Sequence, residues 1–158
     1  GKNVKLNIVG WADPKDNIMN LIAETGAKFG ISDKIIFHGF KKAGEELFSF
    51  YKSADIFIVA SQENEGFPRT IWEALAHSLP VIAVPVGSIG HFLKHGHDAL
   101  FIEKKNPQDI EAKIKMVLND QELRKNLIKN GLETVKDVTL ELQSEKMATI
   151  IKNFTKAK

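Results

Sequence analysis

The chain contains no cysteine, which excludes disulfides, thiolate zinc sites and cysteine nucleophiles. It also lacks an excess of either charge: 22 basic residues against 20 acidic ones leave a formal +2. That is too balanced for a protein that grips nucleic acid through its phosphates. No apolar run approaches the roughly 20 residues that span a bilayer, and no signal-peptide pattern opens the chain. No Gly-x-Gly-x-x-Gly follows the first predicted strand, so a nicotinamide or flavin site is unsupported, and the Gly-x4-Gly-Lys-Ser/Thr phosphate loop is missing too. Internal repeats, low-complexity tracts and linkers are likewise absent. What remains is 43% hydrophobic and 27% charged, the mixture of an ordinary globule. A chain of 158 residues can bury roughly 70% of its unfolded surface without staples. The expectation is a soluble, intracellular protein with one core over residues 1–158.

Short apolar runs alternate with helix-period segments. Strands are predicted at Lys5–Val9, Lys34–His38, Asp55–Ala60, Pro80–Val84 and Ala99–Glu103. The third is apolar on both faces and reads as central, the fifth as an edge. Helices are predicted from Asp13-Pro14, a cap with proline at the first helical position, to Phe29, then at Glu45–Ser53, Pro68–Ser78 and Ser88–His95. Asn106-Pro107 caps another running to about Leu118, and Gln121–Lys136 and Leu140–Phe154 finish the chain. Alternation of this kind predicts an α/β fold, a doubly wound, Rossmann-like parallel sheet with extra C-terminal helices. Ligands of such sheets bind at the carboxyl ends of the strands. The loops there are Gly10–Asp13, Gly39–Ala43, Ser61–Pro68 and Pro85–Ser88.

The most informative stretch is Ser61-Gln62-Glu63-Asn64-Glu65-Gly66-Phe67-Pro68-Arg69-Thr70-Ile71-Trp72-Glu73-Ala74-Leu75. A buried strand feeds a polar loop, Gly66 permits close backbone approach, and Pro68 starts a helix. Free N–H groups at a helix N-terminus suit a phosphate, and Arg69 and Thr70 would direct main-chain donors there. Glu65 lies in the loop and Glu73 further along the helix. Ionised carboxylates only accept hydrogen bonds, so both fit a hydroxyl-rich ligand such as a ribose or hexose. The interval alone carries nothing: among 12 glutamates it recurs at Glu103/Glu111 and Glu133/Glu141. Neither pair has the glycine or the strand-loop-helix context, so both serve as internal controls.

This stretch resembles the nucleotide-sugar site of glycosyltransferase family 4, also called group 1, whose members have the GT-B fold. The resemblance continues through Glu73-Ala74-Leu75-Ala76-His77-Ser78-Leu79-Pro80-Val81-Ile82-Ala83, Gly87 and the His95-Gly96-His97-Asp98-Ala99-Leu100 turn to Asn106-Pro107. Upstream it takes in Phe37-His38-Gly39-Phe40 and Ile8-Val9-Gly10. It implies one half of a GT-B enzyme, the C-terminal, donor-binding domain of a retaining glycosyltransferase. Such an enzyme moves a sugar from a UDP- or GDP-sugar to a glycan or lipid-linked acceptor, without a metal or other cofactor. Glu65 would contact the donor sugar's hydroxyls as the catalytic-site carboxylate. Gly66, Phe67, Arg69 and Thr70 would line the sugar and diphosphate through main-chain N–H groups. Glu73 would accept from the ribose, and Gly39 and Phe40 would hold the base. The family's usual setting implies a cytoplasmic location, with possible contact at the inner membrane face, and no nucleic-acid partner.

The chain departs from the family pattern in several places. It resembles only the carboxyl-terminal half, and it begins after the strand-helix unit that carries the basic diphosphate clamp. Ser78 and Ser88 stand where glycines are common, and His91 takes the place of the usual loop glutamate.

Plainer readings stand beside these. Arg69 and Glu73, four apart on one helix, form an exposed ion pair in the simplest account. Trp72 and Leu75 read as core packing. His91, His95, His97 and Asp98 have the chemistry for zinc, but solvated surface histidines are the simpler expectation. His38 reads as a strand-end residue near the nucleotide. Lys146, Lys152, Lys156 and Lys158 form a solvated helix face, with anionic-membrane contact as the rival. Two other functions fit less well: a sugar-nucleotide epimerase of the same architecture, against which Glu65-Gly66-Phe67-Pro68 argues, and a non-catalytic sugar-nucleotide-binding module.

Overall fold

The computed structural model describes residues 4–13, 15, 17–62 and 66–156. Backbone contacts divide the chain into two compact units, residues 1–49 and 50–158.

The first unit holds β1 (Leu6–Val9), α1 (Ile18–Lys28), a 3-10 turn (Ser32–Lys34), β2 (Ile35–Gly39) and the start of α2 (Glu45–Ser53). β1 and β2 pair in parallel with Leu6 opposite Ile35 and Ile8 opposite Phe37, and the register shifts between Ile8 and Val9. A parallel pair needs a crossover, and α1 supplies it. Helix α1 begins at Ile18 behind Asn17, not at the Asp13-Pro14 cap the sequence predicts. Asp13 instead accepts from the Lys15 N–H at 2.9 Å, a local turn that competes with capping; Pro14 lies outside the described residues. Leu6, Ile36 and Phe37 stay more than a third exposed, as expected where two strands and one helix have too little surface to cover both faces.

The second unit contains the rest of α2, β3 (Phe57–Val59), α3 (Arg69–Ala76), β4 (Val81–Ala83), α4 (Ile89–Phe92), β5 (Ala99–Phe101), α5 (Pro107–Asn119), α6 (Gln121–Lys136) and α7 (Leu140–Lys156). Its sheet runs β3-β4-β5, both ladders parallel, with Val81 opposite Phe57 and Ala99. The edge position of β5 is as predicted. β4, not β3, is the middle strand of this ladder, and Val81, Ile82 and Ala83 are completely buried, as a parallel strand covered on both faces should be. Among the described residues the buried apolar side chains all lie in this unit, so the single expected core is concentrated between residues 51 and 127.

Helix α3 packs inward through Ile71, Ala74 and Leu75, the i, i+3, i+4 stripe of an amphipathic helix. Gly131 of α6 lets it approach: a Cβ added there would lie 2.5 Å from Leu75 Cδ2. α3 ends in a Schellman motif. The Leu79 N–H donates to Ala74 O and the Ser78 N–H to Leu75 O, each at 3.0 Å. Ser78 holds the left-handed conformation this requires, with φ +61°. α4 is shorter than predicted because Leu93 turns extended, φ −111° and ψ 152°. The His95–Asp98 turn is tied to α6. Buried Asp98 accepts from the Lys94 N–H at 2.7 Å and from the Thr134 hydroxyl at 3.0 Å, and the Asn130 amide donates to His97 O. α5 is capped by Asn106, as predicted, through the Asp109 N–H. Every residue of α7 from Leu140 to Thr155 is exposed.

Candidate functional site

The four loops expected at the strand ends meet in two pairs, one in each unit. In the first unit the Gly10 N–H donates to Gly39 O at 3.0 Å. Gly39 sits at φ +69° with open space where a Cβ would be, and Phe40 beyond it is 70% exposed. His38 Nε2 lies 2.9 Å from Asn7 Oδ1, a strand-end position as predicted.

In the second unit Gly66 O accepts from the Ser88 N–H at 3.2 Å, which joins the loop after β3 to the loop after β4. Among the described residues nothing lies within 4 Å of the place a Gly66 Cβ would take. The sequence predicts Pro68 as the first helical residue, but it caps α3 from an extended conformation, φ −64° and ψ 115°. Proline fixes φ while leaving ψ free, so both roles are compatible with its ring. Its carbonyl accepts from the Ile71 N–H. Among the described residues the Arg69 and Thr70 N–H groups have no acceptor, which leaves two donors at the positive end of the helix. Phe67 stacks on Trp72 at 4.1 Å between centroids, and Phe92 meets both edge-on. Trp72 is therefore packing, as expected, and the rings fix the strand-to-helix corner. Glu65, together with Glu63 and Asn64, lies outside the described residues.

Glu73 stands one turn into α3 with its side chain 18% exposed. Arg69 Nε donates to Glu73 Oε1 at 2.9 Å, so the expected ion pair is present. The other oxygen, Oε2, accepts from the Tyr51 hydroxyl at 2.9 Å. Tyr51 is 6% exposed. Burial first, and the adjoining Glu73 carboxylate second, hold its hydroxyl above the ordinary tyrosine range. Tyr51 and His77 are the parts of this site that sequence reasoning missed. Tyr51 is the chain's one tyrosine, yet nothing in a single sequence pairs it with a glutamate 22 positions on.

The control glutamates lack this setting. Glu111 pairs with Lys115 and Glu133 with Lys136 on solvent-facing helix surfaces, and each lysine pulls its partner's carboxyl below the usual range. Glu103 accepts from the Asn106 amide. The histidines also separate: His91 packs on Phe92, His95 Nδ1 accepts from the Phe101 N–H, and His97 lies 3.8 Å from Asp98. Among the described residues no three His, Asp or Glu side chains gather as a metal site, and no helix is long and apolar enough to cross a membrane. An open groove of about 510 Å³ runs past Val84, Pro85, His95, Phe101, Lys104 and Lys113, beside the β4 and β5 ends and apart from Glu73.

The family model described as glycosyl transferases group 1 matches residues 1–134. An uncharacterized glycosyltransferase of Methanocaldococcus jannaschii is 39% identical over 101 residues, 64% of this chain and 28% of the relative. The C-terminal domain of a group 1 glycosyl transferase from Francisella tularensis superposes with a TM-score of 0.75 at 29% identity, over 84% of this chain and 68% of that one. Anabaena HepE, solved with UDP-glucose, has the same fold with a TM-score of 0.82 at 20% identity, over 92% of this chain and 41% of that one. The chain thus spans about a third or less of the length of the first curated relatives it matches.

Proposed function

The chain belongs to the group 1 glycosyl transferases, and from that premise we propose that it is the donor-binding, C-terminal portion of a retaining enzyme using a UDP- or GDP-linked sugar. One observation carries the reading. Glu73 presents a carboxylate from the same short helix whose first two N–H groups lack acceptors among the described residues, beside the open backbone at Gly66. A nucleoside diphosphate supplies what each part takes: a ribose diol for Glu73 and phosphate oxygens for the Arg69 and Thr70 N–H groups. That the same fold holds UDP-glucose in Anabaena HepE supports the assignment.

In this reading Glu65 accepts from the sugar hydroxyls, Gly66 and Phe67 line the sugar and diphosphate, and Gly39 and Phe40 hold the base. As the glycosidic bond breaks, negative charge grows on the departing diphosphate. Fixed N–H donors aimed there stabilise it more than they stabilise the ground state. No metal or cofactor is assigned to the step. The acceptor, a glycan or a lipid-linked sugar, would be held by an N-terminal half, with the reaction on the cytoplasmic side.

The test is a chemical-shift titration with UDP, GDP and their glucose conjugates. Glu73→Gln should weaken the free diphosphate and the sugar conjugate alike by about 1–2 kcal/mol, the scale of a charge-assisted hydrogen bond. Glu65→Gln should weaken only the conjugate, and Glu111→Gln neither. An equal effect of Glu65→Gln on both ligands, or any effect of Glu111→Gln, refutes the roles.

A further inference from the structure

We propose that Tyr51 is a positioning residue for nucleotide recognition, holding the Glu73 carboxylate from the protein side so that its other oxygen is presented to a ribose diol; this rests on the donor-site reading above. The two Glu73 oxygens have partners of opposite character. Oε2 is bound by a phenol that cannot leave: the Tyr51 ring is 6% exposed, stacks on His77 at 5.2 Å and packs against Phe57 at 5.7 Å. Oε1 is bound by Arg69, whose side chain is 80% exposed and gives up little by swinging into water. His77 is itself fixed, its Nδ1 2.7 Å from the Glu73 carbonyl oxygen, so the helix that carries the carboxylate also holds the ring that backs the phenol.

The arrangement makes one partner permanent and the other exchangeable. A diol arriving at Oε1 displaces Arg69, while the Tyr51 hydrogen bond keeps the carboxylate from rotating after it. A glutamate without that bond would be immobilised by the ligand itself, at the expense of affinity. Tyr51 therefore acts on ribose hydroxyls through Glu73 and touches no part of the nucleotide.

The experiment compares UDP and GDP with their 2′,3′-dideoxy counterparts on the wild type, Tyr51→Phe and Glu73→Gln. Tyr51→Phe keeps the ring and removes only the donor. Its preference for the ribo form should fall about three- to tenfold, the scale of releasing one ordered side chain, with dideoxy affinity unchanged. An unchanged ribo preference overturns the proposal, and so does equal weakening of both forms, which would mark a purely structural role. If the wild type itself shows no ribo preference, or Glu73→Gln keeps it, the ribose role of Glu73 fails and the inference fails with it.

Discussion

Ser78→Gly should stabilise the protein. Ser78 occupies the C′ position of the Schellman motif that ends α3, at φ +61° and with its side chain exposed. A residue with a Cβ loses about 1–2 kcal/mol in that conformation. Glycine avoids the loss but brings a more flexible unfolded chain, which returns about 0.4–1 kcal/mol. The difference is a net gain of about 0.5–1 kcal/mol. For a domain of this size that raises Tm by about 1–4 °C. Urea denaturation followed by tryptophan fluorescence should show a higher midpoint with the same slope, since the surface exposed on unfolding does not change. Ser78→Ala keeps the Cβ and should stay within about 0.5 kcal/mol of wild type. A Ser78→Gly midpoint at or below wild type refutes the strain argument. An equal gain from Ser78→Ala refutes it too, because the hydroxyl and not φ would then be responsible.

Gly131→Ala should destabilise by about 1 kcal/mol, although alanine is the better helix former. The new methyl would meet buried Leu75 at 2.5 Å, and overpacking of about 1–3 kcal/mol outweighs a propensity gain of about 1 kcal/mol; a stabilised variant in the same denaturation assay would contradict this. Asp98→Ala should cost about 2–4 kcal/mol, because the Lys94 N–H and the Thr134 hydroxyl lose their acceptor, with Asp98→Asn intermediate; wild-type stability in Asp98→Ala would show that water replaces both bonds. Raising pH past the ordinary tyrosine range near 10 should lower stability, since the folded state keeps Tyr51 protonated where the unfolded chain releases its proton. Tyr51→Phe should remove that component, and an unchanged alkaline limb would count against it.

Most of the fold can be read locally. The helices from Glu45 to Ser53 and from Gln121 to Lys136 begin and end where periodicity and capping put them, because their signals are carried by neighbours in sequence. The errors lie where one residue has two local uses. Asp13 closes a turn instead of capping a helix, and Pro68 caps a helix it was expected to begin. The middle position of β4 is invisible in the chain because Asp55–Ala60 is as apolar, and strand order depends on pairing partners that no local pattern specifies. In the candidate site the helix, the N–H groups that lack acceptors among the described residues, and Glu73 follow from the Gly66-Phe67-Pro68 signal. The Tyr51 contact does not. It joins two helices through a side chain whose own helix treats it as one more apolar residue.

The exposure of α7 also decides how this protein's unfolding is to be observed. Seventeen residues, exposed throughout Leu140–Thr155, form a helix near the length at which isolated helices are marginal in water. Its ellipticity is then lost over a broad range of temperature, independently of the core. Trp72, stacked against Phe67 at the head of α3, reports the core. Far-UV dichroism and Trp72 emission, with Trp11 replaced, would therefore trace different curves on one sample without any folding intermediate being present. A partner that covers Met147, Ile150 and Phe154 would draw the two curves together, making their separation a direct reading of whether that helix is docked.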